Sequence, residues 1–127
     1  MSLQKALHEA LASIPDCVAV GAIDLASGEL LGIRAVDRHV WELCDLVSVL
    51  PESQSVSTVF KKHKGLSDAE QCCFRELIVT SDELIHVFQR GRRTKAIVMV
   101  SICRVSANLG MALVHARLAL GRVEQEV

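Results

Sequence analysis

The sequence predicts an α+β domain: a five-stranded antiparallel sheet with helices on both faces, in the order αββαβββα. Three observations carry that prediction. The run Ala96-Ile97-Val98-Met99-Val100-Ser101-Ile102-Cys103 holds one hydroxyl and no charge, which fits a strand buried on both faces at the centre of a sheet. A second near-continuous apolar run, Cys17 to Leu25, supplies its natural neighbour. Helical periodicity appears before, between and after the strand segments. The short hairpin and meander connections imply antiparallel pairing.

The elements follow in order. Leu3, Leu7, Ala10, Leu11 and Ile14 repeat at helical spacing with Gln4, Lys5, His8 and Glu9 opposite; Ser2 is placed to cap this helix and Pro15 to end it. The strand 17–25 turns at Ala26-Ser27-Gly28-Glu29 into Leu30-Leu31-Gly32-Ile33-Arg34, a hairpin with Gly at the turn. From about Asp37 the helical period returns, with Val40, Leu43, Cys44, Val47 and Leu50 on one stripe and Trp41, Leu46 and Val49 widening it. A helix apolar around more than half its circumference has two surfaces to bury, one of them against another chain. Pro51 stops it.

Residues 51–71 carry the weakest pattern. Val56, Val59 and Phe60 fit one face of a short helix running through Lys61, Lys62 and Lys64 to Gly65, and Ser67-Asp68-Ala69-Glu70 matches a capping box. Strands are then expected at 74–80 and 84–89, joined across Ser81-Asp82-Glu83. A basic turn, Arg90-Gly91-Arg92-Arg93, leads into 96–103. The closing helix, about Ser106 to Glu124, places Leu109, Ala112, Leu113, Ala116, Leu120 and Val123 on one side. With 17–25 and 96–103 at the centre, strands 30–34 and 74–80 become the edges.

Composition narrows the function. At 127 residues the chain is one domain, 1–127, without room for two independent cores. Aromatic residues make up 3%, so the core rests on Leu, Val, Ile and Ala, and the stacking platforms of single-stranded nucleic-acid and sugar binders are missing. A net charge of −1 argues against an electrostatic nucleic-acid binder. No C-x-x-C occurs among the five cysteines, and no Cys and His fall at finger-like spacing. The expectation is reduced, mostly buried thiols in a cytoplasmic protein that needs no cofactor and no metal. The opening Met-Ser-Leu-Gln-Lys lacks the apolar stretch of a signal peptide, and no run reaches the ~20 apolar residues of a membrane span.

This element order, with these residues in it, resembles the roadblock / dynein light-chain family of profilin-like small domains. The matching pieces are Leu3-Gln4-Lys5-Ala6-Leu7 through Ile14-Pro15-Asp16, the strand-turn-strand around Ala22-Ile23-Asp24-Leu25-Ala26-Ser27-Gly28, Val98-Met99-Val100, and Asn108-Leu109-Gly110-Met111. The resemblance implies a profilin-like, roadblock-type fold whose last helix starts near Asn108-Leu109-Gly110 and packs back on the sheet. It also implies a non-catalytic homodimer that regulates or scaffolds a small Ras-like GTPase. The dimer would pair the edge strand 74–80 and pack the middle helix, 39–50, against its mate. Val40, Trp41, Leu43, Leu46, Val47, Leu50, Arg75, Leu77 and Val79 thereby become the expected dimer and partner interface.

Other features read in two ways. Arg90, Arg92, Arg93 and Lys95 form a solvated hairpin tip first, and a holder of a phosphate or an acidic partner second. Cys72-Cys73 point to opposite faces if extended, which disfavours a shared metal; near a dimer twofold either thiol could meet its mate. The five histidines are scattered, with no pair at metal-ligand spacing. Trp41 is either an interface anchor or core packing against the sheet. The alternative to a regulatory dimer is a small-molecule-sensing, PAS-like module, which requires an apolar pocket between sheet and helix.

Overall fold

In the computed structural model, helix α1 (Leu3–Ser13) begins where a short polar side chain can serve its first turn. Ser2 is extended, and its hydroxyl accepts from Lys5 N at 3.2 Å. The structure describes residues 2–24, 27, 29–36, 75–93 and 97–127. After Ile14 the chain reverses in four residues, with Cys17 N–H donating to Ile14 O at 3.3 Å. Pro15 sits at the first central position of this turn and Asp16 at the second, with φ 51°. Proline pre-sets the first torsion, and aspartate tolerates the left-handed region at the second.

Among the described residues five strands follow: β1 (Cys17–Asp24), β2 (Glu29–Ala35), β3 (Glu76–Thr80), β4 (Leu84–Arg90) and β5 (Ile97–Arg104), before helix α2 (Leu109–Gln125). The sheet order is β2-β1-β5-β4-β3, with every pair antiparallel. The two most apolar strands are therefore the central neighbours, and the segments expected at the edges are the edges. The β1–β2 hairpin closes at Asp24↔Glu29, where Ser27 Oγ accepts from Glu29 N at 3.2 Å.

Alternation along β5 separates two cores. Met99 and Cys103 lie with Val20 and Ala22 beneath both helices, packed by Ala6, Leu7 and Ala10 of α1 and Ala112, Ala116, Ala119, Leu120 and Val123 of α2. On the opposite face Val98, Val100 and Ile102 join Ile23 and Phe88, with Leu30, Ile33, Leu77 and Leu84 packed at the margin. Both described helices lie on one face of the sheet. The middle helix expected over 39–50, and the stretch 51–71, lie outside the described residues.

The final helix starts later than the Ser106 boundary suggested by periodicity. Asn108 is the cap: it is extended, and its Oδ1 accepts from Met111 N at 3.1 Å, leaving Ser106 in the preceding turn. The buried stripe shifts accordingly. Leu109 is 37% exposed, and Ala119 is buried in addition to the residues expected. Three alanines in that stripe present only methyl groups to α1 and the sheet, which permits close packing of the backbones.

Gly32 of β2 performs a similar service for α1. A Cβ there would lie 2.9 Å from Leu7 Cδ1 and 3.2 Å from Gln4 Nε2. Leu7 is fully buried and cannot swing away. Gly32→Val is expected to destabilise the fold by about 1–3 kcal/mol in chemical denaturation, with unchanged stability showing that α1 is free to move off β2. Ser101, fully buried on the helix-covered face, has a hydroxyl with no hydrogen-bond partner. Ser101→Ala removes an unsatisfied polar group and is expected to leave the midpoint of denaturation unchanged or raise it; a clear loss would reveal a bond to that hydroxyl.

Candidate functional site: the β3 edge and the arginine cleft beside it

Among the described residues, β3 has a strand neighbour on one side only. Its hydrogen-bonding alternation can be fixed from both ends. Arg90 N–H donates to Arg75 O at 2.9 Å, and Ser81 N–H donates to Leu84 O at 2.8 Å. With the register running from Glu76↔Gln89 to Thr80↔Ile85, Leu77 and Val79 turn their backbone groups toward β4. Glu76, Ile78 and Thr80 turn theirs away from β4, toward the edge. Side chains follow the other alternation. Leu77 packs against the core cluster that carries Phe88, while Ile78 and Val79 are 38% and 39% exposed. The edge is short and, beyond Glu76, uncharged, the type that pairs readily with another strand.

Of the interface residues read from the sequence, Arg75, Leu77 and Val79 fall on this one strand and its entry. Val40, Trp41, Leu43, Leu46, Val47 and Leu50 lie outside the described residues, as do Cys44, Cys72, Cys73, Lys95 and the lysines at 61, 62 and 64.

A side-chain network that local sequence patterns do not reveal ties β3 to α2. Arg117 Nε and Nη2 each donate to Glu76 at 2.8 Å, a two-pronged pair across the end of the sheet. Gln89 of β4, fully buried, sits beside it. In one orientation its amide nitrogen donates to Glu76 Oε2 at 3.3 Å; in the other it donates to Ala116 O at 3.2 Å while the oxygen accepts from Arg117 N at 3.3 Å. The bond from Arg117 holds the Glu76 carboxyl below its ordinary value, against the opposing effect of partial burial. A glutamine directly after the largely apolar Leu84–Phe88 run was the available sequence signal.

Arg75, Arg90, Arg92 and Arg117 surround a cleft of about 200 Å3 with Glu76 and Gln89. Next to it, Arg92, Arg93, Arg122 and the exposed Leu118 border a shallower one of about 290 Å3. The basic turn is not simply solvated. Glu124 near the end of α2 accepts from Arg92 N and Arg93 N, both at 2.6 Å, so the turn's amides already hold a carboxylate of the same chain. The arginine side chains remain exposed around it.

A depressed carboxylate contributes stability that is present above its unfolded pKa and lost as pH falls through its folded one. Glu76→Gln is therefore expected to lower the thermal midpoint slightly near neutral pH, with the gap to wild type closing as pH falls below about 4. Thermal scans from about pH 3 to 7 test this; a gap that persists in acid would assign the loss to packing instead.

No helix among the described residues is long and apolar enough to cross a membrane. No protein-family model matches the sequence, and no curated protein does. Solved structures do. MglB of Myxococcus xanthus superposes with a TM-score of 0.74 at 12% identity, covering 97% of this chain and 92% of that one. MglC of the same organism gives 0.70 at 15% identity over the whole of both chains. A Roadblock/LC7 domain from Streptomyces avermitilis gives 0.67 at 10% identity, covering 98% and 97%. Likeness over nearly the full length of each chain identifies the fold as the roadblock/LC7 type.

Proposed function

We propose that the chain is a non-catalytic regulatory or scaffolding subunit that acts as a homodimer, with a small Ras-like GTPase as the class of protein it serves. The observation that carries this reading is the β3 edge: the outward-facing backbone groups of Glu76, Ile78 and Thr80, with the exposed side chains of Ile78 and Val79, suit strand pairing with a second copy. A solved MglB described as having a tetrameric arrangement, at 17% identity and a TM-score of 0.73, supports a fold that assembles through its surfaces. The apolar middle-helix sequence, Val40 to Leu50 with Trp41, supplies the second half of the interface and the platform for the partner.

For the small-molecule-sensing alternative, the face under the two described helices offers little room: Leu7, Val20, Met99 and Val123 are fully buried there.

Backbone alternation gives a selective test. Ile78→Pro removes an N–H directed away from β4 and leaves the β3–β4 ladder intact, so it is expected to yield folded monomers by light scattering. Trp41→Asp and Leu46→Asp are expected to do the same through the middle helix. Unchanged dimers in all three would sink the assigned interface. Affinity capture from native lysate, with bound guanine nucleotide assayed in the eluate, tests the partner class separately; a dimer that captures no GTPase would remove that part alone.

A further inference from the structure

The turn that closes α1 delivers Cys17 to β1 directly opposite Cys103 of β5. Between Cys17 and Ala19 the pairing slips by one residue, making Val18 an extra residue on β1. In a regular strand Cys17 would share a face with Ala19, on the side of Val100 and Ile102. The bulge turns it to the opposite side, where it packs against the helix-covered cluster that contains Cys103.

The local hydrogen bonding sets how close the two come. Arg104 N–H donates to Asp16 O at 3.0 Å, the bond that flanks a non-hydrogen-bonded pair. Such pairs bring opposing Cα atoms to about 4.5 Å and their side chains closer than in the other pair type. That spacing falls within the range in which a disulfide closes. Both thiols are free, Cys103 buried and Cys17 half-buried. The Cys17 thiol donates to Ala19 O at 3.3 Å. The interaction of the two sulfurs lowers the Cys103 thiol below its ordinary value and, together with burial, raises Cys17, so a thiolate at this pair rests on Cys103.

We propose that Cys17 and Cys103 form a thiol–disulfide modification site, in which an external disulfide such as glutathione disulfide oxidises the pair to a cross-strand bond between β1 and β5. The half-exposed Cys17 sulfur first attacks the external disulfide as its proton passes to the Cys103 thiolate beside it; a mixed disulfide forms on Cys17, and the small thiolate released takes that proton back from Cys103 and leaves as a thiol. The Cys103 thiolate then attacks the Cys17 sulfur, the Cys17–Cys103 bond forms, and the second small thiol leaves. Two protein thiols are oxidised by two electrons, and one external disulfide is reduced to two thiols. The closed loop spans residues 17 to 103, nearly the whole sheet, and the site does not rest on the proposed dimer.

The experiment equilibrates the full wild-type chain with reduced and oxidised glutathione at set ratios. Samples are quenched in acid, alkylated under denaturing conditions and mapped by peptide mass spectrometry. The expected product is an intrachain Cys17–Cys103 peptide link whose appearance raises the thermal midpoint by roughly 5–10 °C, with no such rise in Cys17→Ala. Glutathione retained on Cys17 while Cys103 stays alkylatable would overturn the proposal. So would oxidation that joins Cys44, Cys72 or Cys73 and leaves this pair reduced. The wild-type map decides the matter even if the variant fails to fold.

Discussion

The antiparallel pairing of Cys17–Asp24 with Ile97–Arg104 is the constraint on which the remaining structure depends. These are the two central strands, and each is buried on both faces for most of its length. Burying both faces commits the chain to apolar layers above and below, and the other strands can only add outward from this pair. α1 enters β1 through a four-residue turn, and α2 leaves β5 through a short turn capped by Asn108. The two helices therefore land on one face together, and their packing against each other follows from the strands they flank.

That central pair was legible in the sequence because a charge-free run leaves no solvent-facing alternative. The α1 cap was legible because Ser2 and Pro15 bracket one clean periodic stripe. The edges then followed by elimination. The start of α2 was harder: Ser106 and Asn108 are both good caps two residues apart, and only side-chain geometry chooses between them. The Glu76–Arg117 pair joins residues forty-one apart in sequence, a distance over which no periodicity operates. The one-residue slip at Val18 was equally hidden, since an extra residue in an apolar run looks like more of the same run.

The candidate site shows how a fold can restrict an edge without abolishing it. Glu76 is anchored to α2 by Arg117, which ties the start of β3 to the helix. Beyond Glu76 the strand carries no charge through Thr80, so the usual guard against edge pairing is absent where the backbone groups face outward. A strand fixed at one end and unguarded at the other has a defined register to offer to a mate. Register is what distinguishes assembly from aggregation.

The Glu124 carboxylate on the amides of Arg92 and Arg93 has a consequence for anything anionic that approaches the arginine turn. The backbone donors there are already engaged by a ligand whose effective concentration is set by α2, and tethered groups of this kind outcompete free ones by large factors. At Arg92 and Arg93, an incoming carboxylate or phosphate meets arginine side chains but amides that are already engaged. The turn therefore offers attraction without a cradle, which suits broad electrostatic contact with a protein surface better than capture of a single small ion.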